Sequence, residues 1–215
     1  MLTITIKQGK EKSVLAREIH IYASAVDRVD GKPGERLQPG ATAVVQTSSG
    51  QFLARAGFNP VSQIRARVWS FDAGEAIDHA FIKRRVQQAL SKRVSAALRS
   101  TSGRLLHAIK GEEDGLSGLV VDWYTGEPGE PGYLVCQFLA AGVDAWKVPI
   151  VQSLIKETGC PNVYERSDTL MRKAEGLADV SGALAGEEPP NSLVFSERGV
   201  HYRIDLKTGS RHKGI

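Results

Sequence analysis

Cysteine is nearly missing from this sequence: Cys136 and Cys160 are the only two in 215 residues, and they lack paired spacing. That excludes a disulfide-stapled scaffold and fits a reducing compartment. Long apolar runs are also lacking. No stretch approaches the roughly 20 residues needed to span a bilayer. The opening MLTITIKQGKEKS has neither the apolar segment nor the small-residue cleavage site of a secretion signal. Together these absences predict a cytoplasmic chain with no membrane partner. Catalytic signatures are missing too: there is no GxSxG elbow, no complete Walker motif and no GxGxxG after a strand. The five histidines, His20, His79, His107, His201 and His212, have no metal-pair spacing. No catalytic residue and no metal ligand is therefore expected, and neither cysteine has the setting of an activated thiolate.

What the sequence does have is an uneven charge. Residues 1–100 carry 16 Lys/Arg against 8 Asp/Glu, and the remainder 12 against 16. Net charges of +8 and −4 thus make up the overall +4. A basic front half suggests a polyanion as its partner, although many basic faces are merely solvated.

The pattern of elements also changes along the chain. LTITIK places Leu2, Ile4 and Ile6 on one face of a half-buried strand. GKPGERLQPGATAVVQTSSGQFLARAGF reads as short β segments with turns at Lys32-Pro33-Gly34, Gln38-Pro39-Gly40 and Ser48-Ser49-Gly50, and SQIRARVWSF as a further strand. Short, closely spaced strands predict a small barrel. From Asp72 the period becomes helical, with Ile77, Phe81, Val86, Leu90, Val94 and Ala97 on one side of a helix stopping near Ser102-Gly103. Three strand-like runs follow (RLLHAIKG, GLVVDWY and YLVCQFL), then a helix over roughly 144–157 and a strand ending in VYERSD. A short helical stretch near LMRKAEGL precedes a Gly/Pro-rich linker, GALAGEEPPNS, and a hairpin turning at Arg198-Gly199.

Candidate binding residues fall in two stretches. Period-two alternation in QIRARVWSF puts Arg65, Arg67, Trp69 and Phe71 on one face. Guanidinium groups beside rings suit single-stranded nucleic acid, since arginine pairs with phosphate and rings stack on bases. The alternative is that the rings plug the barrel with the arginines at its rim. KQGKEKSVLAREIH brings Lys7, Lys10, Lys12 and Arg17 close together, a density that gives phosphate affinity without sequence information. Elsewhere, Glu112, Glu113 and Asp114 read as a turn whose acids pair with basic neighbours, because the ligand spacing of a calcium loop is absent. In YERSD, Ser167 or Asp168 can cap the following helix, and Glu165 and Arg166 can pair with neighbours. The terminal GSRHKGI spaces Gly209 and Gly214 like a phosphate loop, but Ile215 stands where the lysine is needed.

GKEKSVLARE, QIRARVWSFD, KGEEDGLSGLVVDWY, VYERSD and the following RKAEGL, in this order along nearly the whole chain, resemble segments of the bacterial large-subunit ribosomal RNA cytosine-C5 methyltransferases. The resemblance implies a PUA-like small β-barrel that binds RNA over residues 1–71 and a middle α+β domain (β-β-α-β-β-like) over 72–190. Residues 191–215 would be a hairpin and a shortened linker. In the family a Rossmann-like domain follows, which binds S-adenosylmethionine and supplies the nucleophilic cysteine. Here EIHIYASAV follows Arg17 where the family has His-Pro-Trp-aromatic-Phe, and the Gly-x-Lys-Thr-Gly of the linker is not intact. The expectation is an α+β chain with no Rossmann-like domain and no bound cofactor, S-adenosylmethionine belonging to the full-length family. Such a chain would be the ribosomal-RNA-recognition portion of a methyltransferase, the alternative being a self-contained, non-catalytic RNA-binding adaptor. Lys10, Lys12, Arg17, Arg65 and Arg67 are the expected RNA contacts. Arg166, Ser167 and Asp168 would form an exposed half-interface, which would also favour self-association.

Overall fold

The computed structural model describes residues 1–93, 103 and 105–213. Val94, Ala97 and Ser102 of the expected long helix, and Gly214 and Ile215 of the tail, lie outside the described residues.

The first 70 residues build one six-stranded sheet. Its strands are β1 (Leu2–Ile6), β2 (His20–Tyr22), β3 (Val26–Asp30), β4 (Thr42–Gln46), β5 (Phe52–Phe58) and β6 (Ile64–Ser70), in the spatial order β2-β6-β5-β4-β1-β3. All neighbours are antiparallel except β1 and β4, which run parallel. The edge strands β2 and β3 are joined by a single 3₁₀ turn, Ala23–Ala25, yet no ladder pairs them. A sheet whose two edges are three residues apart in the chain must curl to bring them together. The outcome is a curled, mixed half-barrel where strand spacing suggested a small barrel. Its concave side is lined by Leu2, Ile4, Ile6, Val45, Ala54, Ala56, Phe58, Ala66 and Val68. The Leu2/Ile4/Ile6 alternation is therefore met. Two short helices decorate the sheet: α1 (Lys12–Leu15), and α2 (Pro33–Leu37), which begins where the sequence suggested only a turn.

A second sheet of five strands follows, in the order β11-β10-β9-β8-β7: β7 (Leu105–Lys110), β8 (Leu119–Tyr124), β9 (Tyr133–Phe138), β10 (Val163–Ser167) and β11 (Val180–Ala185). Before it comes α3 (His79–Ser91), whose N-cap Asp78 accepts the Phe81 N–H at 2.8 Å. Strands β9 and β10 are parallel and are linked by α4 (Ala141–Ala145) and α5 (Lys147–Thr158). This β-α-β crossover makes the sheet mixed. Helices α3 and α5 lie side by side and run in the same direction. The His79 ring meets Trp146 at their starts, 5.6 Å between centroids, and Gln87 donates to Glu157 at their ends, 2.8 Å. Phe81, Ile82, Val86, Leu90, Ile150 and Leu154 cover the sheet face made by Ile109, Val121, Leu134, Cys136, Phe138 and Val163. A third sheet covers part of the other face. Its strands are β12 (Leu193–Glu197), β13 (Val200–Ile204) and β14 (Arg211–Lys213), and Phe195, Ile204 and Leu206 pack on Tyr124 and Val135.

The α+β reading of a barrel followed by a β-β-α-β-β-like unit is thus corrected by three sheets and a parallel crossover. Strand β11 lies where the sequence reads as linker. Its VSGALA has no apolar alternation, and it is a strand because its backbone completes the ladder on β10. The expected hairpin does form at Arg198 and Gly199 (φ 51° and 79°), and β14 adds a third strand to it.

Candidate nucleic-acid interface

The loop between β1 and β2 presents most of the basic cluster. Lys10, Lys12 and Arg17 are exposed, and none has an ion pair among the described residues. Gly9 (φ 84°) and Arg17 (φ 67°) turn the chain through the left-handed region on either side of α1. For arginine that conformation costs roughly 1–2 kcal/mol. Its guanidinium lies 5.1 Å from the centroid of the Phe71 ring, a contact that offsets part of the cost. Between them stands Leu15, 64% exposed. The loop therefore offers three unpaired cations and one apolar side chain to solvent. Lys7 is anchored instead, donating to the Ser24 carbonyl at 3.0 Å.

Strand β6 does something else. Arg65, Arg67 and Trp69 do share a face, but that face meets the second sheet's unit. Trp69 leaves the half-barrel core and packs edge-on against Phe81, 6.1 Å between centroids, inside the second core. Close backbone approach makes room for it: Gly57 and Gly142 face one another beneath the indole. Neither reading of the rings as a stacking platform or as a barrel plug describes Trp69. Phe71 alone packs on the half-barrel core.

Arg67 is the centre of a polar network across this contact. Its Nη2 donates to Glu175 Oε1 at 2.8 Å and its Nη1 to Ser117 Oγ at 3.1 Å, with Glu112 Oε1 at 3.4 Å. Asn59 Nδ2 donates to Glu175 Oε2 and to the Glu175 carbonyl, both at 2.8 Å, and Ser62 Oγ donates to Oε1 at 3.3 Å. Side-chain exposures of 11% for Arg67 and 5% for Glu175 make this a largely desolvated pair. Arg65 donates to the Pro60 carbonyl on its own loop. The structure therefore separates the five expected RNA contacts: Lys10, Lys12 and Arg17 in the open loop, Arg65 and Arg67 engaged by protein groups.

The acidic turn Glu112–Asp114 serves the same frame. Asp114 accepts from Arg93 at 2.5 Å and from the Lys110 N–H at 2.8 Å, and Glu113 meets Arg93 at 3.3 Å. Among the described residues, no cluster of three His, Cys, Asp or Glu is placed to hold a metal ion, and no helix is long and apolar enough to cross a membrane.

Arg166, Ser167 and Asp168 lie at the end of β10 and just beyond it. Arg166 donates to the Leu206 carbonyl at 3.1 Å, which ties β10 to the third sheet. Ser167 is fully buried, its Oγ accepting the Phe138 N–H at 3.0 Å and donating to Glu165 Oε1 at 2.8 Å. Of the three, Asp168 alone is exposed. Behind them Lys147 holds Glu165 at 3.0 Å and Asp144 at 3.3 Å. Arg172, which sequence reasoning passed over, is 2% exposed; it donates to Asp144 at 2.8 Å, to the Phe138 carbonyl at 2.6 Å and to the Ala178 carbonyl at 2.7 Å. The only sequence signal was an arginine inside the short helical segment, which spans Leu170–Ala174. This is the carboxyl end of the parallel pair, where open α/β sheets bind ligands. Its buried side chains are taken up by one another, and Asp168 is left to solvent.

Comparison with known proteins begins with the half-barrel. Residues 4–71 match the PUA-like domain family, so the class of the first unit is a PUA-like domain. Over nearly its full length the chain is similar to "Ribosomal RNA large subunit methyltransferase I" of Aliivibrio fischeri, 41% identical over 212 residues, which covers 98% of this chain and 50% of the relative. The protein of that name from Cronobacter sakazakii is 38% identical over 210 residues, 97% of this chain and 50% of the relative. The chain thus spans about half the length of the curated relatives it matches. Among solved structures, a protein assigned as a SAM-dependent methyltransferase from Streptococcus mutans superposes on all of this chain with a TM-score of 0.75 at 16% identity, 51% of that chain being covered. A second protein assigned as a methyltransferase, complexed with SAH, gives a TM-score of 0.75 at 17% identity, covering all of this chain and 50% of the other. By these neighbours, the fold of this chain is one shared by about half of each of them. That overturns the expectation that excluded a Rossmann-like architecture.

Proposed function

We propose that this chain serves a large-subunit ribosomal RNA methyltransferase of the cytosine-C5 class as its RNA-recognition part, with S-adenosylmethionine as the methyl donor of the whole enzyme. The observation that carries the reading is the open Lys10/Lys12/Arg17 loop on a PUA-like unit: cations with no ion pair among the described residues, presented between two strands, suit a phosphate backbone. Arg67 then acts as a brace that holds the half-barrel on the second sheet, while Arg65 fastens its own loop at the Pro60 carbonyl, so that both units meet RNA as one body. Arg166, Ser167 and Asp168 belong in this reading to a seam between units, Asp168 being its outward group.

Methyl transfer itself is not assigned to these residues. Both thiols are buried, Cys136 fully and Cys160 to 1% exposure, and burial pushes both thiol pKa values up. A nucleophile attacking C6 of cytosine needs an accessible thiolate. The donor's ribose and amino groups need free carboxylates, but Glu165 is held by Lys147 and Ser167 at the one strand end where a ligand would sit. Glu165, buried at that end, and Lys147 are thus occupied by one another, and Asp168 is left exposed.

The test is equilibrium binding to a structured fragment of large-subunit ribosomal RNA across a salt series. Three phosphate contacts by the loop predict a slope of log K on log salt that flattens by about 2–3 in a Lys10→Gln/Lys12→Gln/Arg17→Gln variant. An unchanged slope in that variant removes the loop from the interface, and no binding by the native chain at low salt ends the reading.

A further inference from the structure

Helices α3 and α5 leave a groove of about 220 Å³ between them, lined by His79, Lys83, Pro149, Gln152, Ser153 and Lys156. It lies on the outer side of the helical layer, away from the sheet those helices cover. Lys83 and Lys156 are exposed and neither has an ion pair among the described residues, whereas the neighbouring Arg84 and Arg85 are both engaged by Glu75. Helix α3, HAFIKRRVQQALS, contains no acidic residue at all. At the far end Glu157 is occupied by the Gln87 amide, 2.8 Å away. At the near end the His79 and Trp146 rings meet at 82°, His79 exposed and Trp146 half-buried.

We infer that this groove is a second RNA-binding surface, which takes the backbone of a single strand on Lys83 and Lys156 and a base against the His79–Trp146 rings. The inference rests on the proposed RNA-recognition role and extends it to a part of the molecule with no PUA-like character. Two cations from different helices flank one channel, so consecutive phosphates can be met from both sides. A ring pair at the channel's mouth gives a base a π-face, and Gln152 supplies hydrogen-bonding groups without charge. A channel only as wide as the space between two packed helices suits a single strand, because an A-form duplex presents a broad, shallow minor groove instead.

The native full chain and two variants, Lys83→Gln/Lys156→Gln and Trp146→Phe, are titrated with a fluorescein-labelled 20-nucleotide single-stranded RNA from about 0.05 to 0.3 M KCl. Each lost phosphate contact on a single strand reduces the salt slope by about 0.7. The lysine variant is therefore expected to flatten the slope by about 1.4 and to bind about tenfold more weakly at the lowest salt. Binding is expected to quench tryptophan emission in the native chain. Trp146→Phe should lose that quench, because Trp69 and Trp123 are buried. Native binding combined with an unchanged slope in Lys83→Gln/Lys156→Gln overturns the groove and leaves the proposed function standing. Failure of the native chain to bind either this strand or the structured ribosomal fragment overturns both. A quench that persists in Trp146→Phe removes the ring pair from the contact.

Discussion

Replacing Arg67 by methionine separates two roles that one residue cannot fill together. In the structure its guanidinium donates to Glu175 at 2.8 Å and to Ser117 at 3.1 Å, with both charged partners of the Glu175 pair largely out of water. Loss of the guanidinium leaves Glu175 with Asn59 and Ser62 as its neutral donors. Breaking one side of a buried pair costs about 3–5 kcal/mol, because the abandoned charge stays desolvated. The neutral donors that remain place the expected loss at the lower end, about 3 kcal/mol. At about 2–4 °C per kcal/mol for a chain of this size, the melting temperature should fall by roughly 6–12 °C. Glu175→Gln retains an amide oxygen for the arginine and is expected to lose less. The double variant Arg67→Met/Glu175→Met, which removes both charges, should recover much of the loss. Differential scanning calorimetry of these variants together with Glu175→Met closes the cycle, and RNA titration of Arg67→Met well below its melting point gives the slope. A stable Arg67→Met with a salt slope flattened by about one unit would refute the reasoning: the guanidinium would then meet a phosphate and not Glu175.

Three further outcomes are expected. Gly40 has φ 85°, and a Cβ there would collide with the Ala141 carbonyl oxygen and stand 2.6 Å from the Ala145 Cβ; Gly40→Ala should therefore destabilise by about 2–4 kcal/mol in urea unfolding, and a neutral result would mean that the half-barrel does not seat on α4 as described. Tyr124 has its phenol pushed up to about 12, chiefly by burial and then by the Asp122 charge. Because the folded value exceeds the unfolded one, the stability this group contributes is complete below pH 10 and is lost as pH rises from 10 to 12; Tyr124→Phe should flatten that alkaline decline, and an identical decline in the variant would contradict it. The raised, buried thiols of Cys136 and Cys160 should resist a disulfide-exchange reagent at pH 8 in the native chain and both react in denaturant, whereas rapid native reaction would show an accessible thiolate.

Local pattern carried the interior of each sheet but not the contacts between sheets. Leu2, Ile4 and Ile6 alternate because one face of β1 is buried, so period-two reading finds them. Leu134, Cys136 and Phe138 are found the same way, and so is the apolar side of α3 from Phe81 to Leu90. The tight turn at Arg198-Gly199 shows in its residues, since glycine at positive φ has a chemical signature. Strand β11 shows nothing: Ser181, Gly182 and Ala183 owe their conformation to the β10 backbone beside them. The half-barrel's failure to close also has no local mark, because it follows from which strands pair across the sheet and not from what each strand contains.

The same distinction decides the candidate site. Alternation correctly put Arg65, Arg67 and Trp69 on one face, but period two says only that a face exists, never what stands opposite it. Opposite it stand Glu175 and Ser117, 108 and 50 residues further along the chain from Arg67, and the glycine-lined contact that admits Trp69. A strand bearing arginines and an indole has one composition whether it meets RNA or a second sheet. Burial decides between the two, and here burial makes the face a brace. The cations left to solvent are those of the β1–β2 loop, where Gly9 and Arg17 hold the chain in turns and no acid is within ion-pair reach of Lys10, Lys12 or Arg17 among the described residues. For Lys83 and Lys156, 73 residues apart, the crossover that sets α5 parallel to α3 brings them to one groove, a proximity that no window along the sequence contains. A basic residue in this chain is therefore informative about RNA only once the acids facing it have been counted in three dimensions, and that count favours the loop and the groove over β6.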